Sequence, residues 1–315
     1  MRNKIFSFLF FLSTLSYGQS NSQLSFHSIS GLSQSTVYSR LKDKQGFLWV
    51  ATANGLNRFD GTSMNIYKPS YSEPQGKMKG RIIRSALLED DADQIWFGSD
   101  RVVNCFNKKK QVFTQRQLYW NKTGLGRLDS TPNIEIFANP LIIKEGYYWF
   151  SSASEGLFAL DTKNNTCFNY PVTIKDKKGN NIPLMYRGVM LNNNLWFASP
   201  KGLLRFNLIH KQWDLFLAGQ SFFSIAHCRD TLYLGNNENI EWFDTKSLKK
   251  GFCKINNFQA EQKTIRYITT DGKMNIWAGD QDGNIFYKPA IANEFIWKGN
   301  INGNARTKYP VYCMY

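Results

Sequence analysis

Five cysteines, three histidines and 24 acidic side chains are the groups in this 315-residue chain that could do chemistry. Glycoside hydrolysis needs two carboxyl groups held a few ångströms apart. The acids gather in turn-like stretches instead: Glu89-Asp90-Asp91, Asp93, Asp271, Asp280 and Asp282. Asp favours turns because its carboxylate accepts bonds from backbone N–H groups just ahead of it, so turn chemistry accounts for these positions without catalysis. Asp43 stands six residues before Trp49, one more than the spacing of a sialidase-type Asp-box. His27, His210 and His227 are scattered, and nothing pairs them with a nucleophile. Cys105, Cys167, Cys228, Cys253 and Cys313 form no C-x-x-C pair and no His-Cys cluster with metal-ligand spacing. Cys105, Cys167 and Cys253 fall in strand-like segments, where a thiol packs as a small hydrophobe. The odd count leaves at least one thiol unpaired in an exported chain. No catalytic residue, metal site or cofactor is expected.

Binding is the other chemistry to weigh. The formal charge is +15, carried partly by short runs at Lys108–Lys110, Lys175/Lys177/Lys178 and Lys249/Lys250. Each run lies between strand-like segments and reads as a solvated turn. Such a charge would suit an anionic glycan or an acidic membrane surface. An exported chain does not meet nucleic acid, so none is expected as a partner. Two long insertions stand out. Arg116–Asn133 carries Tyr119, Trp120, Arg127 and Asp129, and Thr173–Pro183 carries Lys175, Lys177 and Lys178. Trp120 would either stack on a sugar or pack against its own blade. The sequence assigns no ligand-binding residue.

The elements that would position these groups are legible as a repeat. An aromatic anchor recurs in Phe47-Leu48-Trp49-Val50-Ala51-Thr52, Ile95-Trp96-Phe97-Gly98-Ser99 and Tyr148-Trp149-Phe150-Ser151-Ser152. It recurs again in Leu195-Trp196-Phe197-Ala198-Ser199, Leu232-Tyr233-Leu234-Gly235-Asn236 and Ile276-Trp277-Ala278-Gly279-Asp280. About ten residues later comes a second feature: Phe59-Asp60, Phe106-Asn107, Leu160-Asp161, Phe206-Asn207, Phe243-Asp244 and a degraded Tyr287-Lys288. Gly-Leu precedes three of these, at Gly55-Leu56, Gly156-Leu157 and Gly202-Leu203.

Short apolar, β-prone segments bounded by Asn-Gly and Asp-Gly turns read as antiparallel hairpins. The first unit predicts strands at Thr36–Leu41, Leu48–Thr52, Leu56–Phe59 and Met64–Tyr67. One four-stranded sheet cannot bury both of its faces, but radial stacking of six can. The fold expected is an all-β propeller of four-stranded antiparallel blades over residues 19–315, with the six anchors as core between blades. Leu24–Ile29 reads as an N-terminal strand closing the last blade, and Tyr309–Tyr315 as the first strand of a seventh. Six complete blades plus an incomplete seventh make the chain read as a truncated piece of a longer protein.

Residues 1–18 read as a signal peptide. Arg2 and Lys4 precede the apolar run Ile5–Leu15, and Ser16-Tyr17-Gly18 offers a cleavage site. The run is too short to span a bilayer comfortably. Export, to the periplasm, is the expected localisation.

The stretch from His27 to Gly61 is specific in detail. Gly31-Leu32-Ser33, Val37, Asp43-Lys44-Gln45-Gly46-Phe47-Leu48-Trp49-Val50-Ala51-Thr52 and Gly55-Leu56-Asn57-Arg58-Phe59-Asp60 resemble the two-component regulator propeller repeat, common in sensors of Bacteroidetes. The resemblance implies the periplasmic sensory part of a larger membrane protein. It implies a further β-sandwich, a membrane helix and a kinase or DNA-binding output, none of which is present. It also implies a carbohydrate or other small ligand and no catalysis. A scaffold for protein–protein contact, such as homodimerisation, and a polysaccharide-active enzyme are the alternatives.

Overall fold

The computed structural model describes residues 30–302, except 71, 73–74, 100–101, 117–118, 121–138, 153–155, 165, 185, 187 and 257–263. Six sheets follow one another along the chain and form a six-bladed β-propeller. Blade one is Val37–Lys42, Leu48–Thr52, Gly55–Phe59 and Met64–Tyr67, within a residue of the strands predicted for it. Blade two is Leu88–Glu89, Gln94–Ser99, Val102–Asn107 and Val112–Arg116. Blade three is Asn139–Lys144, Tyr147–Ser152, Gly156–Asp161 and Thr166–Tyr170. Blade four is Gly188–Leu191, Asn194–Ser199, Gly202–Asn207 and Gln212–Phe216. Blade five is Ser224–Cys228, Thr231–Gly235, Ile240–Asp244 and Lys250–Phe252. Blade six is Ile265–Thr270, Ile276–Asp280, Asn284–Lys288 and Phe295–Asn300. The first strands of blades three to six touch one another in series, which places them innermost.

Two blades carry one strand more than the four expected. Tyr119–Trp120 pairs parallel to the outermost strand of blade three, and Ile255–Asn256 pairs parallel to that of blade six. Each belongs to the connection arriving from the preceding blade. By running along the open edge of the next blade, it satisfies backbone groups that would otherwise face water. The signal peptide, the closing strand 24–29 and the seventh-blade strand 309–315 lie outside the described residues. No described helix is long and apolar enough to cross a membrane.

The anchors fill the space between blades. Trp49 packs with Ile95, Phe97, Phe106 and Phe113 of blade two, and Trp96 with Tyr148, Phe150 and Phe158 of blade three. Trp149 packs with Leu195, Phe197 and Phe206 of blade four, and Trp196 with Leu232, Leu234 and Phe243 of blade five. Tyr233 meets Ile276 and Phe286 of blade six. Trp277 is half-buried and rests on Tyr287 of its own blade at 4.5 Å. A repeated backbone bond adds to this packing. The residue three past the anchor offers its carbonyl to the next blade: Thr52 to Ile83, Ser199 to Phe222 and Asn236 to Ile265, at 2.9–3.0 Å.

The repeat needs one correction of register. The residue paired with the position before the anchor is Phe59, Phe106, Leu160, Phe206 and Phe243 in blades one to five. In blade six it is Lys288, because Tyr287 faces Trp277 itself. A lysine therefore fills the slot that an apolar side chain fills elsewhere.

Candidate functional site: a cleft between the third and fourth blades

The acids singled out in the sequence build turns. Asp43 Oδ1 accepts the backbone N–H of Gln45 and Phe47 at 3.0 Å, and its Oδ2 accepts the Trp49 indole N–H at 2.8 Å. Asp90 does the same for Ala92, Gln94 and Trp96, and Asp271 for Lys273, Asn275 and Trp277. The six-residue spacing is thus the reach from a turn-capping carboxylate to the anchor indole. Asp280 caps the turn before Asn284 in blade six. Burial raises its pKa, more than the bonds from Asn284 and Asp282 lower it.

One buried ion cluster joins blades one and two. The Lys108 ammonium lies 3.3 Å from Asp43 Oδ2 and also binds Glu89 Oε1, with all three side chains buried. Burial alone would raise the Asp43 pKa, but the Trp49 and Phe47 N–H groups and Lys108 hold it below its ordinary value. Burial would lower Lys108, and Glu89 and Asp43 hold it raised. Every charge has a partner here, which marks the cluster as a clasp between blades.

Cys105, Cys167, Cys228 and Cys253 are buried thiols. Burial pushes Cys167 and Cys253 up to about 12, far from a reactive thiolate. Cys313 and His27 lie outside the described residues. His210 is in an exposed turn, and the His227 carbonyl accepts the Thr270 hydroxyl at 2.6 Å. Among the described residues, no group of three His, Cys, Asp or Glu converges.

The two insertions are described in part. Of Arg116–Asn133, Arg127 and Asp129 lie outside those residues, and Tyr119–Trp120 form the parallel strand on the outer edge of blade three. The backbone of Trp120 is therefore farthest from the channel and belongs to the sheet of the following blade. Thr173–Pro183 is a small hairpin bridged at Lys175 and Asn181, with Ile182 and Leu184 buried beneath it. Lys177 and Lys178 are exposed.

A cleft of about 300 Å³ opens between blades three and four. Tyr147, Trp149, Phe168 and Tyr170 of blade three wall it, and Ala159 forms its floor. Trp149 and Tyr170 are stacked at 5.8 Å, and Tyr147 meets Phe168 edge-on at 6.2 Å. Lys211 reaches in from blade four, its ammonium 5.1 Å from the centre of Trp149 and 5.6 Å from that of Tyr170. Burial lowers the Lys211 pKa, partly offset by Glu145. Lys144 stands at the rim, bonded to Asn193 at 2.5 Å and 3.7 Å from Glu145. An aromatic wall beside two ammonium groups can hold a ring and a negative charge together. Sequence reading missed this site because its residues are spread from 144 to 211 and two blades must meet to form it.

Comparison with known proteins agrees with the repeat. Residues 31–54 match the family described as two component regulator propeller. Those residues are similar to a two-component regulator propeller repeat. Alongside that repeat, 67 residues are 46% identical to a protein named histidine kinase P4 from Formosa agariphila. They make up 20% of this chain and 5% of the kinase. The propeller also superposes on the extracellular domain of a B. thetaiotaomicron protein described as a hybrid two-component system. The TM-score is 0.63 at 14% identity, over 89% of this chain and 35% of that one. BamB from Moraxella catarrhalis gives 0.52 at 14% identity, over 84% of this chain and 76% of that one. At such identities the likeness is one of fold.

Proposed function

We propose that this propeller is the extracytoplasmic, ligand-sensing part of a two-component-type regulator, and that it binds a glycan or another small ligand without transforming it. The observation that carries this reading is the regulator repeat at residues 31–54, beside the 46% identity to a histidine kinase. The aromatic cleft between blades three and four supplies a place for a ligand. Asp43, Asp90 and Asp271 are committed to backbone and indole N–H groups and Glu89 to Lys108, which favours binding over hydrolysis. Screening the purified chain against a glycan array tests the reading. Retention of at least one glycan, recovered at unchanged length, is the expected outcome. Silence across the array overturns a glycan as its ligand, and shortened products overturn binding without transformation. The reading frame is also expected to continue beyond codon 315 into a membrane helix and an output domain.

A second reading has its own observation. Ile209, Leu248, Met274 and Ile291 are exposed in turns at the same end of blades four, five and six. Exposed apolar side chains at one end of three successive blades suit a protein partner, including a second copy of this chain. Sedimentation of the chain across a concentration series, with and without Leu248→Lys and Ile291→Lys, separates the readings. A dimer that the two charges dissociate supports the scaffold.

A further inference from the structure

One position in each blade decides how the wedge beside the anchor is filled. In register, the third-strand residue facing the anchor is Arg58 in blade one, Cys105 in two, Arg205 in four, Trp242 in five and Tyr287 in six. Arg58 lies over Phe47 at 4.8 Å and Trp49 at 5.8 Å. Arg205 lies over Trp196 at 5.6 Å and Phe216 at 5.1 Å, fixed by Asp214 at 2.8 Å. The Trp242 ring lies across Gly251, so close that a Cβ there would stand 2.7 Å from it. Blade three has Ala159 at this position.

The missing side chain is what opens the cleft. Next in the same row, on the outermost strand, blade three has Phe168 where blade four has the charged partner Asp214. Phe168 is 41% exposed, a large apolar ring left in water at the cleft wall. Lys211 takes the place over the anchor ring that arginine holds in blades one and four, but no carboxylate fixes it. Among the described residues, none lies within 4.0 Å of its ammonium. Gln111, its counterpart in the turn of blade two, bonds the Tyr67 hydroxyl at 3.2 Å instead.

We propose that this cleft is the ligand site of the propeller and takes a ring-shaped organic anion. The apolar face of the ring would lie on Phe168 and Tyr147, and its carboxylate or sulfate on Lys211 and Lys144. This rests on the ligand-sensing reading and assigns it a place and a charge. Two ligand sources share the chemistry: an acidic sugar and an aromatic carboxylate.

Calorimetric titration of the purified full chain tests it with three probes: a galacturonate oligomer, a neutral galactose oligomer of equal length, and benzoate. At least one anion is expected to bind, and the neutral oligomer about tenfold more weakly or not at all. Preference for the oligomer or for benzoate identifies the source. Ala159→Tyr fills the cleft with the side chain that blade six already carries there, and Lys211→Gln removes the charge while keeping the turn of blade two. Each variant is expected to weaken binding about tenfold or more. Lys211→Gln decides the matter if Ala159→Tyr does not fold. Anion binding that survives the variants places the ligand elsewhere and overturns the inference while leaving the sensing reading intact. Equal binding of the neutral oligomer overturns the charge assignment. Failure of both anions overturns the inference as well, and the sensing reading beneath it falls only if the glycan array is silent too.

Discussion

At the scale of single residues, buried charges set the most specific expectations. Lys108 balances Asp43 and Glu89 inside the contact of blades one and two. Lys108→Met would leave both carboxylates buried without a cation, at a cost of about 3–5 kcal/mol in urea unfolding. The sign of the pH effect follows from Asp43. Its folded pKa lies below the ordinary 3.8, so its stabilisation is complete above that value and fades as pH falls through the folded pKa. In the variant the same carboxyl gains from protonation, so the gap between the two proteins narrows on acidification. Lys288 is the opposite case. It occupies an apolar slot, its ammonium 5.2 Å from the centre of Tyr233, and burial lowers its pKa. Lys288→Met is expected to stabilise the chain by about 1 kcal/mol near neutral pH. A folded pKa below 10.5 means the folded state binds fewer protons, so wild-type stability rises with pH toward that value and the gap closes. Equal midpoints for the two proteins at every pH would show that Lys288 carries no burial cost.

At the scale of elements, the Gly-Leu signal has a steric cause. Gly55, Gly156 and Gly202 open the third strand of their blades with φ of 115°, 90° and 147°. A Cβ on them would stand 2.4–2.8 Å from the carbonyl oxygens of Tyr67, Tyr170 and Phe216 at the end of the outermost strand. Gly46 also has a positive φ, but the space around it is open. Gly55→Ala is therefore expected to cost about 3 kcal/mol and Gly46→Ala about 1 kcal/mol, read from urea midpoints. Equal losses would show that backbone conformation alone decides both. The anchors, the turn-capping Asp residues and these glycines were legible because each is a local requirement that recurs at a fixed spacing. The parallel strands at Tyr119–Trp120 and Ile255–Asn256 were not, since two residues carry no periodicity and their partners lie in another blade. The cleft was hidden for a related reason. Ala159 is unremarkable alone and has meaning only against Arg58, Cys105, Arg205, Trp242 and Tyr287 in the same column, all of them larger. The slip at Tyr287-Lys288 arose because an aromatic and a lysine exchanged the sites that the pattern leads one to expect.

At the scale of the whole molecule, each blade buries its faces only against its neighbours, so stability behaves as a chain of nearest-neighbour contacts. The anchors report how complete each contact is. Trp196 is fully buried between blades four and five, with Phe216 at 5.4 Å and Phe243 at 6.0 Å. Trp277 occupies the same repeat position in blade six, but it is half-buried and its close ring neighbour is Tyr287 of its own sheet. Truncating the first removes both transfer energy and packing, leaving a cavity that two blades share. Trp196→Ala is expected to cost about 3–5 kcal/mol. Trp277→Ala removes a ring already partly in water, together with one bond from its indole to Asp271. Its cost in the 315-residue chain is expected to be about 1–2 kcal/mol. Native-state hydrogen exchange separates a nearest-neighbour chain from a single cooperative unit. In the first case Trp277→Ala accelerates exchange in blade six while blades one to four keep their protection, and Trp196→Ala loosens blades four and five together. Uniform acceleration across all six blades in both variants would mean that the ring unfolds as one body.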